Sequence, residues 1–228
     1  MKMLSLPILK PYQIHNNGFM NIEKTFWICR HGKTEWNLEG RKQGHKDSPL
    51  AEDGKVQAET LAEFFSDKCG QLFSSSLGRA VSTAQYIYER NPQLGLHADD
   101  RLKEISFGDL DGFTSAEIEQ MYPGIIDHFH DDPFNNRFPN GESYDDLLER
   151  GKSFLDALDV PEIRKVIIIA HEDINRILLT LLLDLPKEDA IRISHPNDVV
   201  YRVRGKVVAC FKIDGTHLFN KLIMETDL

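Results

Sequence analysis

The chain has little cysteine: Cys29, Cys69 and Cys210 are the only three in 228 residues. They form no CxxC pair and no even framework, which excludes a disulfide scaffold and a cysteine-rich zinc site and fits a reducing, cytoplasmic setting. Long apolar runs are missing too. The strongest, residues 166–170 (VIIIA) and 177–183 (ILLTLLL), are far too short to span a bilayer. Positive charge is scarce, with 27 Lys and Arg against 36 Asp and Glu and a net charge of −9. A broadly acidic surface argues against nucleic acid or an anionic membrane as partner. A small anionic substrate stays open, because a local arginine cluster can override the global field. What is present, 41% apolar and 28% charged residues, suits one packed domain.

The first twenty residues, MKMLSLPILKPYQIHNNGFM, imitate a signal peptide only weakly. Their apolar patch is short, broken by Pro7, and followed by no small-x-small cleavage site. We expect a flexible extension over residues 1–20, Met20 as an alternative start, and a single domain over 21–228. The sequence carries no signature of an oligomeric state.

Residues 25–29 (TFWIC) read as a short buried strand ending at Arg30-His31. Residues 32–52 lack periodicity and read as a functional loop. Apolar spacing predicts helices over 53–68, 76–90 and 143–158, and one after His171. Strands are expected at 71–74 and 94–97, at 166–170 as a central parallel strand, and as a hairpin over 199–203 and 207–213. Residues 109–141, rich in Gly, Pro, Asn and aromatics, read as a cap with one short helix at 115–121. This alternation implies an α/β fold: a three-layer α/β/α sandwich with a mostly parallel central sheet and a small cap insertion.

Several motifs compete for the chemistry. Gly32-Lys33-Thr34 imitates the end of a P-loop, but the required first glycine is replaced by Trp27. A cysteine phosphatase needs Cys-x5-Arg, and Glu35, Ser75 and Thr216 occupy the arginine position after the three cysteines. Residues 128–132 (HFHDD) gather ligand-type side chains without established metal spacing, so a solvated loop is expected there. The pair His31 and His171 is different. Each follows an apolar strand, and in a parallel sheet both emerge at the carboxyl edge, where α/β proteins bind ligands. Arg30 adjoins the first, and Arg79 starts a helix beside the same edge. Two guanidinium forks and two imidazoles make an anion site suited to phosphate.

These residues resemble the histidine phosphatase superfamily, also called phosphoglycerate mutase-like. The likeness rests on an ordered series: Arg30-His31-Gly32 with Thr34 and Asn37; Gly40-Arg41-x-Gln43-Gly44 with Asp47–Leu50; Ser74-Ser75-x-x-x-Arg79-Ala80; Glu104-x-x-Phe107-Gly108; Pro139-x-Gly141-Glu142-Ser143; and His171. The resemblance implies that His31 attacks phosphorus and forms a phosphohistidine. It implies that Arg30, Arg79 and His171 hold the phosphoryl oxygens and that Glu104 serves as acid and then base, with Asp109 and Asp111 as rivals. Asn37 is expected on the phosphate, and Gln43 and Gly44 on the substrate side. No metal or cofactor is implied. The function expected is a metal-independent phosphomonoesterase acting on a small phosphorylated metabolite. The alternatives are mutase-type transfer and a non-catalytic phospho-ligand binder on the same fold.

Neighbouring arginines should depress the pKa of His31, keeping it neutral for attack. They should also oppose protonation of Glu104, so its proton is expected to depend on bound phosphate. The sequence departs from the family after the second histidine, where Glu172-Asp173 replaces the usual small residues. Asp173 is expected to point away and stabilise the helix dipole; Glu172 either does the same or contacts substrate. Lys33 is expected at the cleft rim, drawing anions inward. The aromatics Phe113, Tyr122, Phe129, Phe134 and Phe138 of the cap either line an apolar wall or pack on the core.

Overall fold

The computed structural model describes residues 24–224. The expected extension, and Met20 with it, lies outside the described residues. The chain opens with β1 (Thr25–Arg30). A one-turn helix, α1 (Glu35–Leu38), interrupts the expected loop, because Thr34 and Asn37 cap each other's backbone N–H groups. Next come α2 (Glu52–Phe64), β2 (Gln71–Ser75) and α3 (Gly78–Arg90). The third strand, β3 (His97–Asp99), starts later than expected, because Pro92–Leu94 forms a 3-10 turn that ends at Gly95 with φ 63°. The cap holds α4 (Ser115–Met121) and an unexpected α5 (Ile125–Asp131). Then follow α6 (Tyr144–Ala157), β4 (Lys165–Ala170), α7 (Glu172–Leu183), the hairpin β5 (Val199–Arg204) and β6 (Val207–Lys212), and a short unexpected β7 (His217–Phe219).

The strands form one sheet in the order β3-β2-β4-β1-β5-β6-β7. Alternation along β4 decides the layers. Ile167 and Ile169 face a core built with Leu61, Phe65, Ala80 and Ile87 of the α2–α3 layer. Val166, Ile168 and Ala170 face the opposite core with Leu147 and Phe154 of α6 and Ile174 and Ile177 of α7. Residues 166–170 of β4 are all buried, so the strand is apolar on both faces, as a central parallel strand requires. Each of the valine and isoleucine side chains contributes about 1.5–3 kcal/mol of burial. Gly151 lets α6 and α7 close: a Cβ there would stand 3.1 Å from Ile177 Cγ2.

The three-layer α/β/α sandwich is present. Its sheet is parallel in one half only. β1, β2, β3 and β4 run parallel, whereas β5, β6 and β7 are antiparallel. Within that half, the tight turn at Gly205, with φ 58°, folds β6 back on β5. β1 therefore sits at the border, paired parallel with β4 and antiparallel with β5. Its carboxyl end meets the end of β4 and the approach to β5. Among the described residues, no helix is long and apolar enough to cross a membrane.

Candidate active site

His31 leaves β1 and His171 leaves β4 at the same edge of the sheet. The backbone N–H of His31 donates to Ala170 O at 3.0 Å, which locks the two strand ends together. The two imidazole centroids are 5.1 Å apart. A cleft of about 270 Å³ opens beside them, lined among others by Arg30, His31, Asn37, Gln43, Gly44, Arg79, Glu104 and Glu172. A larger concavity of about 570 Å³ lies at the opposite ends of the strands, around Thr25 and Lys165, away from both histidines. Chemistry rather than size selects the first.

The His31 ring is fixed by its Nδ1, 2.7 Å from Gly32 O. A carbonyl only accepts, so Nδ1 carries the proton and Nε2 presents a lone pair. Burial, then Arg79, then Arg30 push the pKa of His31 well below its usual value, as expected from the arginines, though burial is the larger cause. From the antiparallel side, Asn197 Nδ2 donates to His31 O at 2.7 Å. The loop after the nucleophile position is held by direct backbone contact. Gly32 N donates to Thr83 Oγ1, and a Cβ on Gly54 would stand 1.9 Å from Lys33 O.

Arg79 is almost fully buried. Loop 44–47 wraps it: Nη2 donates to Gly44 O at 2.9 Å, and Nη1 donates to Lys46 O at 2.8 Å and to Asp47 Oδ1 at 3.1 Å. Gly44 has φ 50°, and a Cβ there would collide with Asp111. Gly44 thus serves through its backbone. Arg30 donates from Nη1 to His195 O at 3.1 Å and pairs with Glu172 Oε2 at 2.7 Å. Nε of Arg30, Nε of Arg79 and both ring nitrogens of His171 are buried without a hydrogen-bond partner. Buried polar atoms are normally satisfied, so these orphaned groups stand ready for a polar ligand. Burial and the neighbouring cations hold His171 neutral.

Glu104 is nearly buried and lines the cleft, whereas its rivals are committed elsewhere. Asp111 accepts from the N–H groups of His45 and Phe107, and Asp109 from Asn140 Nδ2. Glu104 Oε1 accepts from Ile105 N at 3.0 Å and Asp173 N at 3.2 Å. Its pKa is raised to about 7, first by burial and then by Asp173, against the pull of Arg79 and Arg30. The arginines do not decide its proton, contrary to expectation, because desolvation and a nearby carboxylate outweigh them.

Asp173 likewise does not point away. It lines the cleft, accepts from Tyr144 Oη at 2.5 Å and pairs with Arg176 at 3.1 Å. Glu172 bridges Arg30 and Arg176. Asn37 lines the cleft, though its Oδ1 accepts from Thr34 N at 3.0 Å as a helix cap. Gln43 lines it too and donates from Nε2 to Thr34 Oγ1 at 2.8 Å. Lys33 is absent from the lining, and Lys42 stands there instead.

Sequence reasoning missed Lys42, Tyr144, Arg150 and Arg176. Arg150 donates to the carbonyls of Arg101, Lys103 and Glu104, pinning the segment that carries Glu104. It sits on α6 away from the apolar stripe, which is the signal that could have drawn attention to it. Of the cap aromatics, Phe129 and Phe138 stack at 4.4 Å and line the cleft, Phe134 is buried, and Tyr122 is exposed. Residues 128–131 (HFHD) belong to α5, so the solvated-loop expectation there is corrected. Among the described residues no group of acidic, histidine or cysteine side chains is placed to hold a metal ion.

The sequence pattern of the histidine phosphatase superfamily (branch 1) matches residues 26–207. Similar curated proteins include 6-phosphofructo-2-kinase/fructose-2,6-bisphosphatase of Caenorhabditis elegans, 29% identical over 197 residues, covering 84% of this chain and 42% of the relative. The human 6-phosphofructo-2-kinase/fructose-2,6-bisphosphatase 4 is 32% identical over 205 residues, covering 87% of this chain and 42% of its own length. The chain thus spans less than half of these relatives. Among solved structures, a mycobacterial glucosyl-3-phosphoglycerate phosphatase is 28% identical with a TM-score of 0.72, covering 89% of this chain and 98% of that one. A putative alpha-ribazole-5'-P phosphatase from Escherichia coli has a TM-score of 0.74 at 21% identity, over 86% of this chain and 99% of that one, a likeness of fold alone.

Proposed function

The chain belongs to the histidine phosphatase superfamily, and from that premise we propose that it is a metal-independent phosphomonoesterase working through a phosphohistidine. The carrying observation is the His31 ring, whose Nδ1–H faces Gly32 O and leaves Nε2 as a buried, neutral nucleophile. In this reading Nε2 attacks phosphorus in line with the leaving oxygen. Arg30, Arg79 and His171 bind the equatorial oxygens, where charge is spread in the transition state. Glu104, with a pKa near 7, gives its proton to the leaving oxygen and then takes one from the water that cleaves the phosphohistidine. Arginines in a largely buried cleft supply the positive charge that a metal supplies elsewhere.

The substrate class we assign is a small phosphorylated metabolite. A cleft of about 270 Å³ stands at the small end of ligand sites, which favours a compact ester over a folded phosphoprotein. Phe107, Phe129 and Phe138 give it an apolar wall for the carbon skeleton. The test is turnover of 4-nitrophenyl phosphate by wild type and His31→Ala, with mass spectrometry for an acid-labile phosphate on His31. Equal release by both proteins would sink the proposal. Phosphate bound without turnover would favour a non-catalytic binder.

A further inference from the structure

Five cationic side chains line the cleft: Arg30, Arg41, Lys42, Arg79 and Arg176. Four are held by carboxylates of the protein. Arg30 pairs with Glu172, Arg41 with Glu39 and Glu117, Arg79 with Asp47, and Arg176 with Glu172 and Asp173. Lys42 has no ion-pair partner among the described residues. Its ammonium lies 4.9 Å from the centroid of the Phe107 ring, on the wall of the cleft. Such a contact with a ring face is weaker than an ion pair and leaves the charge available.

The chain carries nine more acidic than basic residues, yet none of these acids pairs with half-buried Lys42 among the described residues. The backbone of Lys42 is also fixed. Its N–H donates to Phe113 O at 3.0 Å, and its carbonyl accepts from Gly112 N at 2.6 Å, which ties it to the root of the cap. The acids on the other side of the cleft, Glu172 and Asp173, are already engaged by Arg30, Arg176 and Tyr144. With Glu104 carrying the proton of the proposed reaction, Lys42 is the cleft cation that no carboxylate of the described residues meets.

We propose that Lys42 is the seat of a second anionic group on the substrate. The substrate is then a small phosphomonoester that carries a further carboxylate or phosphate, its carbon skeleton lying along Phe107. Lys42 acts as a specificity-determining residue, because a compound without the second charge leaves the ammonium unmatched in the closed complex. This inference rests on the phosphatase reading above.

The test compares two matched pairs. Glycerol 3-phosphate against 3-phosphoglycerate isolates a carboxylate, and glucose 6-phosphate against glucose 1,6-bisphosphate isolates a phosphate. Phosphate release is measured for wild type, Lys42→Met and Lys42→Arg, with His31→Ala as the blank and 4-nitrophenyl phosphate as the generic ester. In at least one pair, wild type should prefer the doubly anionic member by about tenfold in kcat/KM, the scale of one charge-assisted contact. Lys42→Met should bring that ratio toward one, and Lys42→Arg should largely keep it. The pair that responds tells carboxylate from phosphate. The inference falls if wild type has no such preference in either pair, including the case where only 4-nitrophenyl phosphate is turned over. It falls equally if Lys42→Met leaves the ratio intact while remaining folded by thermal melt. No His31-dependent release from any compound would instead bring down the phosphatase reading, and the subsite with it.

Discussion

Asp173 gives its backbone N–H to Glu104 at 3.2 Å while its carboxylate raises the pKa of the same residue. One residue thus anchors Glu104 and holds its proton. In the proposed reaction the acid form of Glu104 is needed, so kcat/KM should fall as pH rises through about 7. His31, held neutral well below its usual pKa, imposes no loss until pH is clearly acidic. Asp173→Asn removes the negative charge that raises Glu104, so the alkaline limb should move to lower pH. A limb that stays put, or moves up, would show that Asp173 does not tune the acid.

Arg79 cannot be replaced by another cation without loss. Its two terminal nitrogens reach three acceptors of loop 44–47 and leave a buried Nε without a partner in a side chain that lines the cleft. A lysine ammonium cannot reproduce that planar fork. Arg79→Lys should lower kcat/KM for 4-nitrophenyl phosphate by about 10²–10³-fold. A change under tenfold would mean that charge alone suffices.

The Lys33–Gly54 contact predicts a coupled defect. A Cβ on Gly54 enters the space of Lys33 O, a backbone atom that cannot step aside. Gly54→Ala should cost about 1–3 kcal/mol and displace the loop that follows His31. Calorimetry and kinetics should therefore both report it. An unchanged melting temperature with unchanged kcat would refute the account.

His31, His171 and His195 are each buried with pKa values pushed below that of a free imidazole; for His195 the value is about 3. The unfolded chain takes up these protons below about pH 6.5, and the folded chain resists them. Stability is thus full above pH 6.5 and lost as pH falls below it. The melting temperature should drop by several degrees between pH 7 and pH 5. Glu104 and Asp111 work in the opposite sense, because their raised pKa values favour the folded form at lower pH, but His97 is lowered as well and the histidines outnumber them. Added phosphate should raise the melting temperature of wild type by binding the folded state.

The strand-end positions of His31 and His171 were legible because an apolar β-branched run followed by histidine has few other meanings. Burial of the sheet on both faces was legible from the continuous apolar run of residues 166–170. The antiparallel half was only partly so: the turn at Gly205 was readable, but nothing local says that β5 docks beside β1. The second cap helix escaped because seven residues between Gly124 and Asp132 are too few to display a period. The direction of Asp173 depends on Tyr144, which lies 29 residues earlier and arrives on another helix. Spacing cannot foretell such a meeting. Lys33 is expected at the rim from the sequence, yet backbone bonds to Gln57 and Ala51 tie its segment to the α2 side.

The bridge formed by Glu172 bears on how quickly the cycle ends. In the proposed reaction Arg30 meets phosphate with one terminal nitrogen already held by a resident carboxylate, which should reduce its pull on the liberated ion. Departure of the ion, which commonly limits enzymes with strong anion grips, is thereby eased. Glu172→Gln should make inorganic phosphate a several-fold tighter competitive inhibitor and let release govern kcat. An unaltered inhibition constant would mean that the bridge opens freely when the ion arrives. An anion trap with its own counterion built in is a trap made to reopen.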